Sequence, residues 1–426
     1  MQFLQSAEKL YPQHAYNKKP KTKVYPEDIL SALILLLSPI ANLSLQATSL
    51  GIFGASASAP FVGLLFLFIS YRSLSKGIIR RETAIIITYV IVISTLYLLF
   101  TPQQTKDETT LLKAIKILIF YTLSTSLVLT KNRNYSILKL GAWGGLLLCV
   151  ASTLPTLSDI SFLNYEGSSE GRPRGLTMEA SHFAFISGSL ALIIFSLDPR
   201  TINKVIASLI GALLLIYSQS KAGIVLYVAG FYILLTIQAK SKKYIVITSA
   251  LILITSYIAI SYILPYILGR ISIDMDNYTS TATRTIGFMS GIYIALHNPF
   301  GVGFGAYLNE YLSSIPYVIR LARPYLPYLD YSEVIGYTTQ QTTKSISTKS
   351  FLSDSIIYFG IPFVFFLLLK TRKIISNILR NRKSHLIPGF FFIISSLSFW
   401  STGIGFYPAF ILISITINLS QDNNKS

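Results

Sequence analysis

Arg172 and Arg174 flank Pro173 in Gly171-Arg172-Pro173-Arg174-Gly175, and Glu179 and His182 follow, spaced one helical turn apart. Guanidinium groups match the oxygens of a diphosphate in planar, bidentate fashion, and a neighbouring carboxylate or imidazole supplies a base. Lys221, in Ser218-Gln219-Ser220-Lys221-Ala222-Gly223, interrupts a stretch that is otherwise apolar on both sides. A lysine there can snorkel to the surface, but an ionisable group embedded in an apolar chain marks a functional site by default. Arg284 opens a helical apolar stretch that ends at His297. A cation at a helix start opposes the dipole, so Arg284 asks for an acid such as Asp274 or Asp276, or for a bound anion. Asp354 follows Lys349 in Thr348-Lys349-Ser350-Phe351-Leu352-Ser353-Asp354.

Each residue also has a plainer role. Glu179 is favourable at any helix N-terminus, His297 at a C-terminus, and the arginines can meet lipid headgroups. His14 and His385 read as solvated loop residues. Taken together, Arg172, Arg174, Lys221 and Arg284 form a cation set suited to a diphosphate. Glu179, His182, His297 and Asp354 are candidate bases that the sequence does not rank. There is no Asp-x-Asp and no paired histidine, so no metal site is expected, and the cations would stabilise a leaving diphosphate. Cys149, the sole cysteine, leaves no disulfide or thiolate site.

The elements that must position these residues are membrane helices. Apolar residues make up 52% of the chain and charged residues only 13%, against about a quarter in a soluble protein. Most of the surface must therefore face lipid. Apolar runs long enough to cross a bilayer predict roughly twelve transmembrane helices. They fall near 29–47, 51–71, 83–100, 111–130, 136–155, 177–196, 202–217, 220–237, 244–264, 351–370, 386–402 and 404–419. The expected organisation is a tail at 1–28, nine helices over 29–264, an external loop at 265–350, three helices over 351–420 and a tail at 421–426. The basic tail (Lys18, Lys19, Lys21, Lys23) leads into a first span read as an uncleaved anchor. With both termini inside, the whole net charge of +18 falls on the inner face and the outer face is neutral. The positive-inside rule predicts that distribution, so topology accounts for the basicity and nucleic acid is not implied. The cations at 172, 174, 221 and 284 are exceptions on the outer face.

The long loop carries its own structure. Residues 284–297 predict an amphipathic helix on the membrane surface. Asn298-Pro299-Phe300-Gly301-Val302-Gly303-Phe304-Gly305 predicts a tight turn, and Pro316, Pro324 and Pro327 interrupt a tyrosine-rich stretch. Those tyrosines suit an aromatic belt, or the apolar faces of sugar rings.

With these pieces in order, the chain resembles the O-antigen polymerase (Wzy) and O-antigen ligase superfamily. The resemblance rests on Arg174-Gly175-Leu176, the Ser-Gln-Ser-Lys-Ala-Gly turn, Arg284, residues 297–307 (His-Asn-Pro-Phe-Gly-Val-Gly-Phe-Gly-Ala-Tyr), and Phe351-Leu352 followed by Tyr358-Phe359-Gly360-Ile361-Pro362. It implies an all-α polytopic GT-C-like glycosyltransferase without cofactors, in the bacterial inner membrane. That enzyme would act on undecaprenyl-diphosphate-linked oligosaccharide at the outer face of the bilayer. By the same resemblance Arg174, Lys221 and Arg284 would bind the diphosphate with Arg172 assisting, and a chain-length-regulating co-polymerase would be a partner. The family's Ser-Arg is Ser-Lys here, which keeps charge but loses bidentate geometry. Ligases carry a histidine where this chain has Thr348-Lys349, and its absence favours a polymerase over a ligase. A lipid-linked oligosaccharide transporter is the contrasting class, but the internal repeats and broken midplane helices of transporters are not evident.

Overall fold

The computed structural model describes residues 24–43, 56–75, 81–100, 108–127, 135–154, 173–238, 279–339, 346–399 and 407–421, with isolated positions at 156, 160 and 163. The described chain is helical throughout. Its α-helices are α1 (Pro26–Leu37), α2 (Ala59–Ser75), α3 (Arg81–Phe100), α4 (Glu108–Ser126), α5 (Tyr135–Ala151), α6 (Ala180–Leu197) and α7 (Thr201–Tyr217). They continue with α8 (Lys221–Gln238), α9 (Thr279–His297), α10 (Gly303–Ala322), α11 (Ser332–Thr339), α12 (Phe351–Arg380), α13 (Ile387–Phe399) and α14 (Tyr407–Gln421). The expected ninth span at 244–264, residues 1–23 of the N-terminal tail, Asp274, Asp276 and Arg172 lie outside the described residues.

The fold is an all-α polytopic membrane protein. Helices α6, α8 and α12 are long and apolar enough to cross a bilayer, and shorter apolar helices accompany them. Helix α7 shows the lipid-facing pattern: Ile202, Val205, Leu209, Leu213 and Ile216 are exposed along one side, while Ala207, Leu214 and Leu215 are buried. Water would penalise such a stripe, and lipid does not. By contrast α6 is buried almost all round, the signature of a bundle's central helix. Phe185 stacks on Phe392 of α13, and Phe195 meets Phe231 of α8 edge-on.

The first expected span is shorter than its apolar run. Helix α1 ends at Leu37, because Pro39 brings no amide to continue the ladder. The following strand of irregular chain turns back instead, with the Ala41 N–H donating to the Leu176 carbonyl at 3.0 Å. The segment before α6 is thereby tied to the end of α1.

At the opposite end of α6, Asp198 is buried beneath Lys139. Its carboxylate accepts from the Arg200 N–H (2.9 Å) and Asn203 Nδ2 (3.0 Å), with Lys139 Nζ at 3.2 Å. Burial works against the charge, but these donors and the Lys139 charge hold the Asp198 carboxyl below the usual carboxylate range. A depressed folded-state pKa gives stability that is present above the unfolded carboxylate pKa and lost as pH falls through the folded one. Asp198→Asn is accordingly expected to destabilise the solubilised protein by about 1–2 kcal/mol at neutral pH, with the deficit closing in acid. Thermal unfolding across a pH series measures it, and a deficit that stays constant into strong acid contradicts the assignment.

Within the 265–350 segment, helix α9 starts before Arg284 and runs alongside the first part of α12. Gly287 sits on the Thr348 backbone and Gly291 on Ser353. The missing side chains let the two helices approach closely, as small residues do between membrane helices. Pro316 lies inside α10. Helices α9 and α10 pack together as a hairpin, and α10 leans on α3 and α4.

The hairpin's tip is docked. Gly360 has φ 71° and ψ −169° and breaks α12, freeing backbone groups on both sides. Two of those groups pair with the tip: the Val302 N–H donates to the Ile357 carbonyl (2.9 Å), and the Ile361 N–H donates to the Pro299 carbonyl (2.8 Å). The Tyr89 hydroxyl of α3 lies 3.0 Å from the Phe300 carbonyl and 2.9 Å from the Phe359 carbonyl, capping both pieces at once. The Asn-Pro-Phe-Gly and Phe-Gly-Ile-Pro sequences are therefore two halves of one joint.

Candidate active site

The chain enters α6 through a turn built for close packing. Gly175 has φ +53° and lies against Ser152 and the Phe183 ring, where a Cβ would collide. Arg174 Nη1 donates to the Thr177 carbonyl (2.9 Å), and the Thr177 hydroxyl bridges the Arg174 and Glu179 carbonyls at 2.7 and 2.8 Å. The turn fixes Glu179 as the N-cap residue of α6. Partial burial lowers the pKa of the Arg174 guanidinium from its usual value, yet a guanidinium keeps its charge at any working pH.

Around that cap four separate segments converge. The Glu179 carboxylate lies 3.7 Å from His182 Nε2 and accepts from Ser181 Oγ at 3.1 Å. Arg284, near the start of α9, and Lys349, just before α12, both act electrostatically on Glu179 and His182. Glu333 of α11 holds the group together: it accepts from Thr283 Oγ1 (2.9 Å) and from the Tyr337 hydroxyl (3.0 Å), and lies 3.7 Å from Lys349 Nζ. Burial and the adjacent Glu333 charge push the Tyr337 hydroxyl well above its usual range, so it acts as a fixed donor. Glu179 and His182 are about a third exposed, open enough for a substrate to reach.

Lys349 is presented by a strained turn. Its φ of 58° lies in the left-handed region, which costs a non-glycine residue about 1–2 kcal/mol. The compensation comes from Asp354. Its carboxylate is buried and accepts from Tyr307 (2.5 Å), Thr348 Oγ1 (2.7 Å) and the Thr348 N–H (3.3 Å), pinning the residue before Lys349. Tyr307 stacks on Tyr358 at 4.3 Å, so this anchor reaches to the hairpin joint.

The residues singled out from sequence thus separate. Glu179, His182 and Arg284 share one cluster, and Arg174 lies one turn upstream of it. Lys221 begins α8 at the same end of the bundle, where Tyr217 bonds the Thr153 carbonyl at 3.3 Å and packs on Phe183. His297 does not join them, because thirteen helical residues place it about 20 Å from Arg284 along α9. Its ring packs at a tilt against Tyr293 (4.3 Å between centroids) and Nδ1 lies 2.9 Å from that residue's carbonyl. Asp354 is a buried anchor. Glu333 was not legible as part of this cluster, and Tyr337 was read only as one of the tyrosines suited to an aromatic belt or sugar faces: nothing in Ser-Glu-Val-Ile-Gly-Tyr says which helix it covers.

Comparison with known proteins matches one stretch of the chain to a family. Residues 206–328 match the family described as O-antigen ligase, a stretch that holds Lys221, Arg284 and the docked hairpin tip. This match supports a relationship to the O-antigen ligase and polymerase superfamily. A Klebsiella pneumoniae relative, named an uncharacterized 49.5 kDa protein in cps region, is 29% identical over 415 residues, covering 92% of each chain. No solved structure matches. That family is one of glycosyltransferase-like membrane proteins of polysaccharide assembly that act on lipid-linked polysaccharide.

Proposed function

We propose that the chain is a polysaccharide polymerase of the bacterial inner membrane, with both termini cytoplasmic. It would move a growing glycan from undecaprenyl diphosphate onto the next lipid-linked repeat unit. The observation that carries this reading is the convergence of Arg284 and Lys349 on Glu179 and His182 at the mouth of α6. Two cations beside an accessible acid–base pair meet the needs of this transfer. The acceptor hydroxyl attacks the anomeric carbon, its C–O bond forms as the bond to the diphosphate breaks, and the released proton passes to Glu179 or His182. The cations take the charge that develops on the leaving diphosphate, where positioned charges have their largest effect. Arg174 and Lys221, at the same end, extend the anion-binding site, and Arg172 lies two residues before Arg174 in sequence.

A ligase uses the same donor with a different acceptor, so the cluster alone suits both. The Thr348-Lys349 pair in place of the ligase histidine favours the polymerase. Deletion followed by gel analysis of surface glycans decides between them. A polymerase deletion leaves acceptor bearing a single repeat unit, whereas a ligase deletion removes every repeat while lipid-linked polymer accumulates. Full-length polymer persisting in the deletion strain overturns both. Within the pair, Glu179→Gln is expected to cut polymer formation about 100-fold and His182→Gln less, measured as turnover of lipid-linked repeat unit in vesicles.

A further inference from the structure

At the end of the bundle opposite the candidate active site, α12 carries Lys370, Lys373, Asn377 and Arg380. Spacings of three, four and three put these residues on one helical stripe. All four line a cavity of about 730 Å³ between α4, α12, α13 and α14. Above them the lining turns apolar, through Leu367, Phe390, Ile394 and Ile413, and runs up toward Phe351. No acidic side chain is among the described lining residues. Arg372, Arg382 and Lys383 are equally basic and lie in the same stretch, but none of them lines the cavity.

A purely topological excess of positive charge has no reason to select one stripe over a hollow. The combination of a long apolar slot with three cations and an amide at its mouth matches one chemistry: acyl chains attached to a phosphate. We propose that this cavity is a binding site for an anionic phospholipid of the adjacent leaflet. Its phosphate is held by Lys370, Lys373 and Arg380, and an acyl chain lies between α12, α13 and α14. Lys370 Nζ stands 5.5 Å over the Phe366 ring, which holds the ammonium at the boundary of apolar and polar lining. Asn381 Nδ2 donates to the Ser420 carbonyl, joining the ends of α12 and α14 and keeping the mouth in register. A lipid seated here would tie together helices that otherwise meet around a hollow.

The test is lipid retention by native mass spectrometry, on full-length protein released from nanodiscs containing phosphatidylglycerol and phosphatidylcholine. The wild type is expected to keep phosphatidylglycerol in preference to phosphatidylcholine. Lys370→Gln/Lys373→Gln/Arg380→Gln should lower that retention roughly tenfold or more, since each cation contributes to holding an anionic headgroup. Arg372→Gln/Arg382→Gln/Lys383→Gln removes the same charge from the same region and should leave retention unchanged. Equal losses in the two triple variants overturn the proposal, as does equal retention of the two lipids. Capture of a polyprenyl phosphate in place of the phospholipid overturns it as well.

Discussion

Arg284→Ala abolishes polymer while leaving the protein in the membrane at its normal level: that is the expected result at the candidate site. Arg284 acts on both Glu179 and His182, and its neighbour Thr283 is bonded to Glu333. Arg284 therefore acts on the α6 N-terminus from a helix that Thr283 ties to α11. Hydrogen bonds to charged groups are worth about 1.5–3 kcal/mol each, and a bidentate pair on a diphosphate combines two. Losing both from a transition state in which negative charge is growing corresponds to roughly a hundredfold to ten-thousandfold in rate. Arg284→Lys keeps the charge without the planar fork, so it should fall between wild type and alanine. Lys349→Ala is expected to cost less, because that ammonium is shared with Glu333 at 3.7 Å. Immunoblots of membranes and glycan ladders from the same cells make the measurement. Normal ladders from Arg284→Ala remove Arg284 from the site. Missing protein would instead make it a folding residue.

The membrane helices were legible because crossing a bilayer imposes a length and a composition that a single sequence displays openly. Eleven of the spans read from sequence have a described helix, while 244–264 lies outside the described residues. Their ends were less legible where a proline intervened, as at Pro39. The hairpin was not legible as a hairpin. Asn298–Gly305 has the composition of a surface turn, and only Gly360, far along the chain, shows why it is needed inside the bundle. The same limit hid part of the site. Glu179 and His182 announce themselves by sharing a helix turn, and Arg284 by its cost at a helix start. Glu333 and Tyr337 sit in a short polar segment, and their role depends wholly on which distant residues it covers. Asp354 was read as chemistry because it follows a cation before a span. It is buried and bonded to Tyr307 and Thr348, beside Lys349 in its left-handed backbone conformation.

The joint between Gly301 and Gly360 should be the most sensitive backbone contact in the described chain, and Gly360→Ala the most damaging conservative change. Both glycines have positive φ, +83° and +71°, where an L side chain costs about 1–2 kcal/mol before any contact is considered. The contacts are worse. A Cβ on Gly301 overlaps the Tyr358 carbonyl and the Gly360 amide, and one on Gly360 overlaps the Pro299 carbonyl and the Gly301 amide. Every obstacle is backbone, so no side-chain rotation relieves it. The tip must withdraw, giving up both backbone hydrogen bonds and leaving polar groups unpaired at a depth where lipid offers no replacement. Together these effects come to about 4 kcal/mol or more, enough to deplete the protein from the membrane. Gly63→Ala is the matched control: nothing lies within 4 Å of its added Cβ and it sits in α2, so it should be neutral or stabilising by up to about 1 kcal/mol. Tyr89→Phe keeps the backbone joint and removes only the shared hydroxyl, so it should cost about 1–2 kcal/mol. Because the tip sets the height of α9, and α9 carries Arg284, Tyr89→Phe should also lower polymer formation in the protein that remains. Glycan output normalised to membrane protein separates the two effects. If normalised output stays at the wild-type level while the melting temperature falls, the joint supports the fold alone and does not position the site.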